Sequence, residues 1–132
     1  MKKVYVAHSR VEGYDFKKEL YQPIRESSLN GEFEIILPHE ESDNSYSSKE
    51  FFRDKCDVIV VEASYRKVGP FLEVGCAWAF DVPIIVLIKK GVKLSGSLNE
   101  MGKTVVEYEN PEEMISGLEK ALEGLKWKRV KY

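Results

Sequence analysis

Between Gly69 and Phe80 the chain reads Gly-Pro-Phe-Leu-Glu-Val-Gly-Cys-Ala-Trp-Ala-Phe, and the only charge in that run is Glu73. An ionised carboxylate in apolar surroundings costs several kcal/mol unless partners hold it, so a sequence keeps one there for its partners or for its reactivity. Phe71, Leu72, Val74 and Trp78 leave little polar face, and the run is expected to form a helix buried all round with Glu73 as a reactive carboxylate. The plainer alternative is an acid in the first helical turn that faces water and is favoured by the helix dipole.

A second group lies in Ala7-His8-Ser9-Arg10-Val11-Glu12-Gly13, between an apolar strand and an amphipathic helix. Backbone N–H groups, the Ser9 hydroxyl and the Arg10 guanidinium can converge there on a phosphate or a sugar hydroxyl. The same loop also reads as a strand-to-helix turn capped by Ser9 or Asp15. It contains neither G-x-G-x-x-G nor a P-loop, so no dinucleotide or triphosphate fingerprint is present. Glu62 and Ser64 end another strand and could supply a second carboxylate or a sugar-hydroxyl acceptor, or else a strand-end salt bridge. His8 could titrate near neutrality or serve as a hydrogen-bonded turn residue. His39-Glu40-Glu41 lacks the histidine spacing of zinc sites. Neither a metal nor an organic cofactor is expected.

The elements that must position these groups follow from periodicity. Strands are expected at Lys3 to Ala7, Phe33 to Leu37, Asp57 to Val61, Pro83 to Ile88 and Thr104 to Tyr108. Helices are expected at Tyr14 to Leu29, from the capping box Ser47-Ser48-Lys49-Glu50 through Lys55, at Pro70 to Phe80 and at Pro111 to Leu125. Strands alternating with helices, three of them apolar on both faces, imply a doubly wound α/β sandwich of three layers, Rossmann-like or flavodoxin-like. The five-stranded parallel sheet is expected in the order 2-1-3-4-5, with ligands at the switch point between the ends of the first and third strands. The polar loops at Glu40 to Tyr46 and Gly91 to Lys103 are candidate lids.

With 132 residues, 43% of them hydrophobic and 32% charged, the chain has the size and composition of one globular domain, residues 1–132, that needs no disulfide. Lys and Arg number 20 against 22 Asp and Glu, a balance that disfavours binding to a nucleic-acid polymer. The basic and aromatic ending Lys126 to Tyr132 is a thin signal, better read as a solvated tail or a subunit contact. Only Val4 to Ala7 follow the positive start as an apolar run, no stretch reaches membrane-span length, and Cys56 and Cys76 lie outside any C-x-x-C pattern. A cytoplasmic, reduced location without membrane contact is expected.

Three segments recur together as a set: Val4-Tyr5-Val6-Ala7, Cys56-Asp57-Val58-Ile59-Val60-Val61-Glu62-Ala63-Ser64, and Gly69-Pro70-Phe71-Leu72-Glu73-Val74-Gly75-Cys76-Ala77. In order and spacing they resemble the nucleoside 2-deoxyribosyltransferase superfamily, and within it the 2'-deoxynucleoside 5'-phosphate N-hydrolases, over nearly the whole chain. The resemblance implies that Glu73 is the nucleophile at C1' of a deoxyribosyl group, oriented by Tyr5. It further implies that Ser9 and Arg10 receive the 5' end beside Gly13 and Gly69, and that a neighbouring subunit donates Ser97 or Ser95, which makes the protein a homodimer. A small nucleoside or nucleotide is then the partner. The loop after the first strand departs from the glycine-rich, arginine-containing loop of the hydrolases. Lys49 stands near the place of their aspartate, with Glu50 beside it as the available substitute. Lys49 favours a second reading, a nucleotide-binding or sensing module without catalysis; Glu73 favours the first.

Overall fold

The computed structural model describes residues 1–44 and 49–127. The strands are β1 (Lys3–His8), β2 (Glu34–Ile36), β3 (Val58–Glu62), β4 (Ile84–Lys89) and β5 (Thr104–Tyr108). They form one parallel sheet in the order β2-β1-β3-β4-β5. The order expected from the sequence is the one observed. Register pairs Val4 with Val58 and His8 with Glu62, so β1 and β3 run side by side to the same C-terminal edge.

Helices cover both faces because the central strands are apolar on both. Val58, Ile59, Val60 and Val61 are all fully buried, and each such side chain contributes roughly 1.5–3 kcal/mol relative to exposure. Strand alternation splits them between two cores. Val4, Val6, Val58 and Val60 pack under α1 (Gln22–Arg25) and α6 (Pro111–Glu123), against Leu20, Ile24, Met114 and Leu118. Tyr5, Ala7, Ile59 and Val61 pack on the other face with Phe52 of α3 (Lys49–Asp54) and Val74 and Ala77 of α4 (Val68–Ala79). Gly117 lets α6 come close to β5, since a Cβ there would stand 2.3 Å from a Val106 methyl.

Three expectations need correction. The long helix expected over 14–29 is broken into a wide π-helical turn (Lys17–Tyr21), α1, and α2 (Leu29–Glu32). Pro23 has no N–H to close a regular turn, and Gln22 N–H reaches back to the Lys17 carbonyl instead. Ser27 then caps the end by donating to the Ile24 carbonyl at 2.7 Å. The loop 91–103 contains a helix, α5 (Gly96–Met101), opened by Ser95, whose hydroxyl accepts the Leu98 N–H at 3.3 Å. Finally, α4 is not buried all round. Pro70, Val74 and Ala77 face the sheet, whereas Val68, Leu72 and Trp78 are 71%, 68% and 56% exposed.

The capping serines Ser47 and Ser48 and the tail after 127 lie outside the described residues. Trp127 itself packs against Phe33, with the Lys2 ammonium over its ring. No helix among the described residues is long and apolar enough to cross a membrane.

Candidate functional site

The switch point brings Tyr5 and Glu73 together. Tyr5 points from the middle of β1 toward α4, is 1% exposed, and donates its phenolic hydrogen to Oε2 of Glu73 in the second turn of that helix. Phe51 and Phe52 of α3 hold the tyrosine ring in place, with centroids 5.6 and 5.2 Å away. Sequence reasoning did not single out these two aromatics. Their signal was the apolar pair in a short helix just before the third strand. Glu73 is half-buried, because the stripe of α4 that carries it lies beside the exposed one. Glu50 is exposed on α3. Its charge and that of Lys49 both reach Cys76, one turn beyond Glu73, while burial pushes the Cys76 thiol up.

The loop after β1 is held from inside. His8 is 5% exposed. Its Nδ1 lies 3.1 Å from the Ser9 carbonyl, which can only accept, so Nδ1 carries the hydrogen. Nε2 therefore accepts from the Tyr21 hydroxyl at 2.6 Å, and the Tyr21 oxygen accepts the His39 N–H at 3.0 Å. Burial pulls the His8 pKa down to about 4, helped by the charges of His39 and Arg10 and opposed by the Ser9 carbonyl. The imidazole is neutral at pH 7 and ties the loop after β1 to the loop after β2. The sequence-based option of titration near neutrality is thereby corrected: desolvation moves the transition far into acid.

Ser9 is 1% exposed and donates to the Tyr65 carbonyl at 3.1 Å, joining the loops after β1 and β3. Arg10 extends outward and donates to the Asp43 carbonyl at 3.1 Å, with the Asp43 carboxylate 3.8 Å away. Tyr21 experiences the charges of both Arg10 and Glu73, while its own phenol is pushed up chiefly by burial. Gly13 turns the chain at φ +86°, a conformation that favours glycine, and nothing lies within 4 Å of where a Cβ would be. Gly69 is exposed in the first turn of α4, and Ser97 is exposed on α5.

Glu62 is on the wrong face to meet Glu73. It pairs in register with His8, beneath α1 and α6, and is 1% exposed. Its oxygens accept the Ser64 N–H at 2.6 Å, the Ser64 hydroxyl at 2.9 Å and the Tyr108 phenol. A sugar-hydroxyl role for Glu62 and Ser64 is corrected accordingly: these groups are spent inside the protein. Burial raises the Glu62 pKa, against the pull of its hydrogen bonds and of Lys89. Tyr108 was the missed partner; its place at the end of the fifth strand was the available signal.

Glu40 is held by Arg25 through two bonds of 2.8 Å, and the His39 ring meets the Ser42 carbonyl at 3.2 Å. No group of three His, Cys, Asp or Glu side chains that could hold a metal occurs among the described residues. A groove of about 820 Å³ is at the opposite end of the sheet, between Trp78, Pro83, Lys103 and Lys126. It contains none of the groups above, and open parallel sheets bind ligands at the other edge, beyond the carboxyl ends of their strands.

No protein-family model matches the sequence, and no curated protein matches it. Among solved structures, the CMP N-glycosidase BcmB of Clostridium botulinum superposes with a TM-score of 0.63 over 91% of this chain and 99% of its own, at 19% identity. The two chains share one fold. At that identity the likeness is one of architecture, and the site must be argued from its own groups.

Proposed function

We propose that this chain, a single nucleoside 2-deoxyribosyltransferase-like domain, cleaves or transfers the N-glycosidic bond of a 2'-deoxynucleoside or its 5'-monophosphate through Glu73. The observation that carries the reading is the Tyr5 to Glu73 hydrogen bond at the switch point of the sheet. One Glu73 oxygen is engaged by the phenol, which leaves the other to attack C1'. The C1'–N bond breaks as the base departs with a proton taken from solvent or a nearby acid. The resulting glycosyl ester is opened by water, whose oxygen bonds to C1' and whose proton is released, or by a second base. Support from outside the chain is the shared fold with a CMP N-glycosidase. CMP is a ribonucleotide, so both sugars belong in the test. The protein is to be incubated with ribo- and deoxynucleosides and their 5'-monophosphates while free base is measured. Release from at least one, lost in Glu73→Gln, is expected; release from none would sink the reading.

In this reading Arg10, Gly13 and Gly69 border the place for the 5' end, Ser9 holds their loop from inside through the Tyr65 carbonyl, and Arg10 leaves Asp43 to meet a phosphate. A second subunit is part of the proposal. Val68, Leu72, Gly75 and Ala79 recur at helical spacing on the exposed side of α4 beside Trp78, an apolar strip suited to a second copy of the same helix. The exposed Ser97 is then free to serve the neighbour's crevice. Leu72→Glu should convert a dimer to monomers in light scattering, and a wild-type monomer would remove this element. A cytoplasmic location is part of the same proposal.

The non-catalytic alternative draws on Lys49, which stands near the place of the hydrolases' aspartate in the resemblance. It predicts tight nucleotide binding by calorimetry with no base released.

A further inference from the structure

The β3 carboxylate that lies away from the crevice nonetheless reaches it through the backbone. Glu62 binds Ser64 twice and Tyr108 once, and Ser64 Oγ in turn accepts the N–H of Lys89, the last residue of β4, at 2.8 Å. One buried side chain thus joins the C-terminal ends of β3, β4 and β5 and pins the start of the loop 63–67 that launches α4. The same loop is fastened from outside, where the Ser9 hydroxyl meets the Tyr65 carbonyl and the Lys89 ammonium donates to the Tyr65 hydroxyl at 2.9 Å. The helix it launches is seated on the sheet by Pro70, Val74 and Ala77, with Phe71, Cys76 and Phe80 partly buried against the same core. Its N-terminus is held differently, since Lys67 at the N-cap makes no side-chain capping bond and the loop supplies the restraint there.

We propose that Glu62 is a positioning residue: by holding Ser64 it fixes where α4 begins, and with it the placement of Glu73 against Tyr5 and the Ser9 loop. The inference rests on the reading of Glu73 as the nucleophile. A carboxylate suits the task because three donors converge on two oxygens and nothing there asks for a donor in return. Glutamine keeps the carbonyl oxygen for the Ser64 N–H; alanine leaves all three donors without an acceptor.

The test compares base release, per folded molecule, in wild type, Glu62→Gln, Glu62→Ala and Ser64→Ala, with amide hydrogen exchange of residues 63–67. A displacement of about 1 Å is enough to lower turnover ~100-fold, so Glu62→Ala should lose about that in kcat with KM within about threefold, and Glu62→Gln should recover to within about tenfold of wild type. Loop amides should exchange at least ~10-fold faster in Glu62→Ala while β3 and β4 amides keep their protection. Wild-type kcat in the folded fraction of Glu62→Ala, or loop and strand amides accelerating together, would overturn the proposal. If Glu62→Ala does not fold, a Ser64→Ala variant with lowered kcat and unchanged KM supports it, and wild-type kcat in both Ser64→Ala and Glu62→Gln overturns it. The reading of Glu73 fails separately, if wild type frees no base or Glu73→Gln frees it at the wild-type rate; loop exchange then decides the anchoring alone.

Discussion

The two faces of the sheet share an apolar floor but end differently at the C-terminal edge. Under α1 and α6 the strand-end polar groups, His8 and Glu62, are at most 5% exposed and every ring nitrogen or oxygen has a partner inside the chain. Under α3 and α4 the corresponding carboxylate, Glu73, is half-buried with a single phenol on one oxygen. A fully satisfied group is a structural fixture; a group with an unused lone pair facing a crevice is available for reaction. The contrast also reverses the expectation from sequence. Glu73 drew attention as the acid in an apolar helix, yet Glu62 is the deeply buried one.

The comparison can be broken most severely at Glu73. Glu73→Gln should lower base release about 10⁴-fold, roughly 5 kcal/mol of barrier, with a melting temperature within about 2 °C of wild type because glutamine still accepts from Tyr5. A variant that melts much earlier would make Glu73 a fixture like Glu62.

On the closed face the effect should appear as pH dependence. The folded His8 pKa is lowered to about 4 from 6.5, so the unfolded chain takes up the proton first as pH falls. The stability held by neutral His8 is complete above pH 6.5 and is lost as pH falls toward 4, by roughly 3 kcal/mol in all. Glu62, with its raised pKa, works in the opposite direction, so the measurement is the difference between wild type and His8→Asn in denaturant melts at pH 7.5 and 4.5. Parallel losses in the two proteins would show that the imidazole is not held neutral.

A milder change sharpens the open face. Tyr5→Phe removes the hydrogen-bond donor that the described residues place on Glu73 and should lower kcat about 10- to 100-fold, near 1.5–3 kcal/mol, with the aromatic packing on Phe51 and Phe52 intact. An unchanged kcat would demote the tyrosine to packing alone. The smallest effect is expected at Tyr14, whose buried hydroxyl has no hydrogen-bond partner among the described residues. Tyr14→Phe should raise stability by up to about 1 kcal/mol, about 3 °C in a thermal melt. A loss of that size would mean that the hydroxyl is bonded in solution.

The sheet order was legible because a parallel sheet buried on both faces writes itself as continuous β-branched runs, as in Val58 to Val61. The Tyr5 to Glu73 pairing came from the resemblance of three segments to a known family. Burial of α4 was misread because an apolar residue reports what it can be packed against and not whether the partner is in the same chain; Leu72 and Trp78 show the difference. The fate of Glu62 was out of reach for another reason. Its partner Tyr108 is contributed by a distant strand, and only register decides which face of β3 the carboxylate takes.

The pairing of Val4 with Val58 has a consequence for how the chain is made. β1 is made before both of its neighbours, and its partner β3 is completed only after the π-helical turn, three α-helices and β2 have been synthesised. At about 5–20 residues per second, the edge of β1 that will meet β3 waits roughly 3–10 s unpaired. During that interval Val4-Tyr5-Val6-Ala7 is an open template for any other extended strand, and the charges of Lys2 and Lys3 beside it are the local guard against mispairing.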